Sequence, residues 1–271
     1  MSPQQPGSGD FAMAGAPGDG ASPKRRRRGR TAVIVLVVIV VVLVILAVIA
    51  DFAARNYAEN RAEKQIESNL PTGTTGTVDV KIHGFSVILQ ALSGSLSDVN
   101  LSSSDIVASG VPLIFSADVK DVPLKSGGET GAVDATVKLS QAALNKSAVL
   151  GGVTGQVALG SGDFTYDSSI KFLSLSIGYR VTVDPSLSDG GKQLVLTPTK
   201  ADVTNGGSAF DVSTLLNFLK SSPPKVCIAE SLPAGSSVTK VAVTPKQVTL
   251  DLHNTGLPLS SAGLSTKGSC S

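Results

Sequence analysis

Hydrophobic and polar positions fall into three regimes along the chain. From Ala32 to Ala50 (AVIVLVVIVVVLVILAVIA), nineteen consecutive residues carry no polar side chain. As a helix that run is about 28 Å long, close to the roughly 30 Å hydrocarbon core of a bilayer. From Asp51 to Asn69 a helical period takes over, with Ala54, Tyr57, Ala58, Ala62 and Ile66 on one stripe. Glu59, Glu63 and Glu67 repeat at i,i+4 on another face, and Pro71 stops the run. Further on, the period becomes two. Val78, Val80 and Ile82 alternate with Asp79, Lys81 and His83, and Val133, Ala135, Val137 and Leu139 alternate with Asp134, Thr136 and Lys138. Leu173, Leu175, Ile177, Tyr179, Val181 and Val183 alternate with polar or small neighbours, as do Val248, Leu250 and Leu252. Such segments predict half-buried strands of antiparallel sheets.

Three short helices are predicted among these strands. Phe85 to Leu92 is closed by Gly94, Ser140 caps Gln141 to Ala148, and Ser213 caps Thr214 to Lys220 ahead of Pro223-Pro224. The order of elements argues for an α+β domain built on a long curved antiparallel sheet with a few short helices. The expected organisation is a disordered tail at 1–31, a transmembrane helix at 32–50, a helical stalk at 51–70 and an extracytoplasmic domain at 71–271.

The cluster Lys24-Arg25-Arg26-Arg27-Arg28-Gly29-Arg30 directly precedes the apolar run. Positive charge is retained on the cytoplasmic side, so the tail is expected inside and the rest outside, at the cell membrane. The competing reading is a secretory signal peptide cleaved near Ala50, since Val48-Ile49-Ala50 has acceptable small-residue spacing. Signal h-regions of 7 to 15 residues are shorter than this run, which favours a retained anchor. No cysteine follows the run to serve as a lipoprotein attachment site.

Composition adds two constraints. The formal net charge is +2, and six basic residues sit before Ala32, so the outer part carries no positive excess to suggest nucleic acid. The two cysteines, Cys227 and Cys270, both fall on the outer side. An even count in an oxidising compartment reads most simply as one disulfide, the alternative being two free thiols.

Catalytic constellations are absent from the pattern: there is no G-x-S-x-G, G-x-x-x-x-G-K-[ST], H-E-x-x-H or C-x-x-C. His83 and His253 sit on the polar sides of alternating strands. Three S-x-x-K tetrads begin at Ser168, Ser222 and Ser237, but a penicillin-binding serine opens a helix, and these run into strands or contain Pro223-Pro224. No enzyme, metal or cofactor is indicated.

The segment order from Arg55 onward resembles the LmeA-like family of actinobacterial cell-envelope proteins. The resemblance is carried by His83-Gly84-Phe85, by Gln90-Ala91-Leu92-Ser93-Gly94 leading into Leu96-Ser97-Asp98-Val99-Asn100-Leu101, and by Leu232-Pro233-Ala234-Gly235 before Val238 to Val243 and Val248 to Leu252. It covers about residues 52 to 264. It implies a non-enzymatic phospholipid-binding protein of the cell envelope, with a fold akin to tubular lipid-binding domains. The long tail and strongly apolar anchor depart from a freely diffusing carrier. A membrane-anchored domain that takes a phospholipid acyl chain needs a continuous apolar lining. The candidates are Phe85, Ile88, Leu89, Leu92, Phe115, Val119, Leu173, Leu175, Ile177, Val181, Leu216 and Leu219. The alternative is an envelope scaffold with a solid core.

Overall fold

A computed structural model describes residues 27–70, 72–125, 127–146, 155–172, 175–205, 216–217 and 220–270. Residues 1–26 of the expected tail, the helix start at Ser213, the end of the helix expected to reach Ala148, and the candidates Leu173 and Leu219 lie outside them. Two compact units are resolved, residues 1–49 and 50–271.

The first unit is described by its helix. Helix α1 (Arg27–Ser68) runs through the whole apolar segment without interruption. Its Val and Leu side chains between Val33 and Ile49 are all about half exposed or more, and no part of the apolar window is buried by protein.

In the second unit the strands are shared between two antiparallel sheets. The first contains β1 (Thr74–Thr75), β2 (Asp79–His83), β3 (Ser95–Ala108), β4 (Val111–Pro123) and β5 (Val133–Ser140). It is completed by β11 (Ser237–Val243) and β12 (Gln247–Asn254), in the order β3-β4-β5-β12-β11, with β1 and β2 both on the outer edge of β3. Between β5 and β11 the chain builds a second sheet from β6 (Gly155–Leu159), β7 (Phe164–Phe172), β8 (Leu175–Ser188), β9 (Gln193–Asn205) and β10 (Lys225–Cys227), in sequential order. The α+β class therefore holds, with the second sheet inserted into the first. Short helices α2 (Val87–Ser93) and α3 (Gln141–Lys146) occupy two of the positions read from the sequence.

Local rules account for the strand joins. The β3–β4 hairpin turns through Ser109 and Gly110, both at positive φ (51° and 83°), the conformation whose twist matches the flanking strands. β3 carries a bulge between Ser103 and Ile106. There Asp105 accepts hydrogen bonds from the Thr77 amide (3.0 Å), the Thr77 hydroxyl (3.0 Å) and the Ser103 hydroxyl (3.0 Å). Those donors, the Thr77 amide foremost, hold the Asp105 carboxyl below the usual carboxylate range.

Two apolar clusters result. Val78, Val80, Ile82, Val87, Val99 and Ile106 form one, against which Ala58, Ala62 and Ile66 of α1 pack. The other joins Val157 and Leu159 of the second sheet to Val243 of the first, with Leu144 of α3, Phe164 and Val248 around it. The disulfide Cys227–Cys270 ties the C-terminal residues to the end of β10.

Candidate functional site

The part of α1 that follows the apolar run is bound to the domain by its three evenly spaced glutamates. Glu59, Glu63 and Glu67 accept the backbone N–H groups of Ile82 (2.9 Å), Val80 (3.1 Å) and Val78 (3.2 Å). Four helical residues rise about 6 Å and two strand residues about 6.6 Å, so the two repeats stay in phase over three contacts. The amides of Asp79, Lys81 and His83 belong to the other side of β2, which pairs with β3. A free strand edge is thus covered by side chains of a helix, which blocks pairing with another chain. Glu59 is 7% exposed, and Lys81 Nζ lies 3.5 Å from its second oxygen. Like charges at i,i+4 destabilise a helix. Three of them in a row is a signal that could have pointed to a partner for this face, but from the sequence only their spacing was read.

α2 is fixed from several sides. Ser86 caps it, its hydroxyl accepting from the Leu89 amide, and Gly94 closes it in the left-handed conformation (φ 88°). Asp51, the first polar residue after the apolar run, accepts from the Ser86 hydroxyl (2.6 Å) and the Ile88 amide (3.0 Å). These contacts, the Ser86 hydroxyl first, keep its carboxyl below the usual range. Arg55 donates to the Gly84 carbonyl at 2.8 Å. Gln90 donates to the His83 carbonyl (3.1 Å) and accepts from the Ser97 amide (2.7 Å) and hydroxyl (3.0 Å). Neither these polar clamps nor the Ser86 cap was read from the sequence; only the closing Gly94 was legible there.

The lipid-lining candidates separate into groups. Phe85, Ile88, Leu89 and Leu92 stand on the outside of α2 and the turn before it, exposed by 95%, 39%, 58% and 80%. Phe115 is half-buried on β4 and packs on the cluster beneath α1, and Val119 is half-buried two repeats further along the same face. On β8, Ile177 is buried and Val181 half-buried, on the face that also carries the buried Val183. Leu175 begins β8, and Leu216 is half-buried. Phe115 also borders a cleft of about 270 Å³ whose other walls include Asp79, Ser102, Ser103, Ser104, Ser116, Thr136 and Lys138. With so many hydroxyls and charges, that cleft is not the apolar lining an acyl chain requires.

The groups that might have served chemistry are placed structurally. His253 Nδ1 lies 2.7 Å from Asp134 across the β12–β5 pair. Ser168 and Lys171 both lie within the strand β7, so Ser168 does not open a helix as a penicillin-binding serine does. Among the described residues no cluster of three His, Cys, Asp or Glu is placed to hold a metal ion.

A family model described as LmeA-like phospholipid-binding matches residues 49–253. No curated protein and no solved structure matches the chain.

Proposed function

Because the chain belongs to the LmeA-like phospholipid-binding family, we propose that it is a membrane-anchored protein whose outward-facing domain takes up phospholipid or a related lipid by its acyl chains. In this reading residues 32–50 span the cell membrane, the basic cluster stays inside, and the domain supports assembly of cell-envelope lipid or glycolipid. The observation that carries the reading is the family match itself, which begins at residue 49, where the apolar run gives way to the domain. The exposed, uninterrupted apolar stretch of α1 supports the anchor. The role is binding rather than catalysis.

Drawing one 16-carbon chain out of a bilayer costs on the order of 12 kcal/mol at about 0.8 kcal/mol per methylene. An apolar surface must replace the bilayer along most of that length. The inward residues of β4 and β8, Phe115, Val119, Ile177 and Val181, supply the side chains for it.

One preparation tests both halves of the proposal. The full chain, isolated from membranes and washed in detergent, should keep an intact mass of 27.5 kDa and yield phospholipid on organic extraction. A mature chain beginning at Asp51 would refute the anchor in favour of secretion, and a lipid-free extract would refute lipid uptake in favour of the scaffold.

A further inference from the structure

Helix α2 presents its apolar side away from the protein. Val87 is buried in the core beneath it at 4% exposure, while Leu89 and Leu92, two and five residues on, lie on the opposite side of the helix. With Phe85 and Ile88 they form a contiguous exposed apolar surface, of the kind that marks a contact site. The hydrogen bonds of Asp51, Arg55 and Gln90 hold the helix in that orientation.

Two observations identify what meets this surface. From Gly84 to Ser97 (GFSVILQALSGSLS) there is no charged residue, so nothing in the segment resists entry into the headgroup and acyl boundary. Its helix is hydrogen-bonded at its start to Asp51, the residue covalently next to the end of the apolar run. A residue one step from a membrane span lies at the membrane surface, and whatever bonds to it lies there too.

We propose that Phe85, Ile88, Leu89 and Leu92 dip into the leaflet of the bilayer that faces the domain, making α2 a second, interfacial membrane contact in addition to the transmembrane helix. The inference rests on the reading of residues 32–50 as a membrane span. It gives the domain a contact at which a phospholipid can leave the leaflet, since the same helix packs through Val87 on the strands of the first sheet.

The chain contains no tryptophan, so a single introduced one reports its surroundings without background. Full-length Leu92→Trp and Leu89→Trp, reconstituted in phospholipid vesicles, should emit at short wavelength and lose intensity severalfold when the vesicles carry lipids brominated near the top of the acyl chain. Ile114→Trp, an exposed site on β4 beside the polar cleft, should emit as in water and stay bright. If the protein floats with the vesicles but both α2 variants remain unquenched, α2 does not enter the membrane while the anchor reading stands. Blue-shifted emission without lipid quenching means that a second protein surface covers α2, and likewise overturns the proposal. Protein that fails to float with the vesicles overturns the anchor reading, and the proposal falls with it.

Discussion

Replacing Glu59, Glu63 and Glu67 together by alanine should release the C-terminal part of α1 from β2 and lower the melting temperature of the domain by well over the effect of any one substitution. Each glutamate satisfies one amide of an otherwise unpaired strand edge, and the strand residues Val78, Val80 and Ile82 are all buried. An abandoned buried N–H costs about 1 to 3 kcal/mol, and for a domain of this size each kcal/mol corresponds to roughly 2 to 4 °C. Opposing this, removing two like-charged i,i+4 pairs would favour the isolated helix by only about 0.2 to 0.5 kcal/mol per pair. The loss of acceptors therefore wins, and stability falls although the helix propensity rises. Glu59→Gln keeps an acceptor oxygen and should cost less than Glu59→Ala. Hydrogen exchange at Val78, Val80 and Ile82 reads the ladder directly. A triple variant that melts like the wild type with these amides still protected would show that the helix is held by apolar packing alone.

Cys227→Ser should lower the melting temperature by roughly 4 to 16 °C, the range that a loss of about 2 to 4 kcal/mol implies. The bridge joins residues 43 apart, and the chain between them travels from β10 of the second sheet through β11 and β12 of the first and back. Cutting it loosens the C-terminal segment where it returns to β10, leaving it held by the backbone bonds of Gly268 to Leu232 and of Ala234 to Thr266 and by the bond from Gln193 Nε2 to the Cys270 carbonyl. Cys270→Ser should match Cys227→Ser, and the double variant should be no worse than either. A wild-type protein that titrates two free thiols without reductant, or variants that melt unchanged, would contradict this.

The periodicities show how far the chain can be read without coordinates. β2 and β5 follow from alternation because each has a wetter and a more packed face, β12 alternates in sequence although its residues are evenly half-buried as far as His253, and α2 follows from an apolar run closed by Gly94 and α3 from the Ser140 cap. β3 was harder to see, since the bulge at Ser103 to Ile106 shifts its alternation midway, and Asp105 interrupts it to satisfy Thr77. The pairing of β5 with β12, and so the insertion of a whole sheet between them, leaves no local mark, because register across more than a hundred residues is set by which faces remain to be covered. At the candidate site the apolar residues of α2 were legible as amphipathic positions, yet alternation could not tell a lining from a core. Phe115 packs against the buried cluster of the first sheet while Phe85 stands in the open. The glutamate ladder was visible as spacing, but its meaning depended on a strand edge that only the fold brings alongside.

Under the proposed function the domain, and not merely the apolar helix, holds phospholipid acyl chains. Reconstituting the full chain with a phospholipid carrying a photoreactive group at mid-chain, irradiating, and mapping adducts by peptide mass spectrometry tests it most directly. The account places adducts on strand peptides of the domain, those containing Phe115 and Val119 of β4 and Ile177 and Val181 of β8. Adducts confined to residues 32–50 and α2 would contradict it, for the protein would then touch the bilayer without taking a lipid from it.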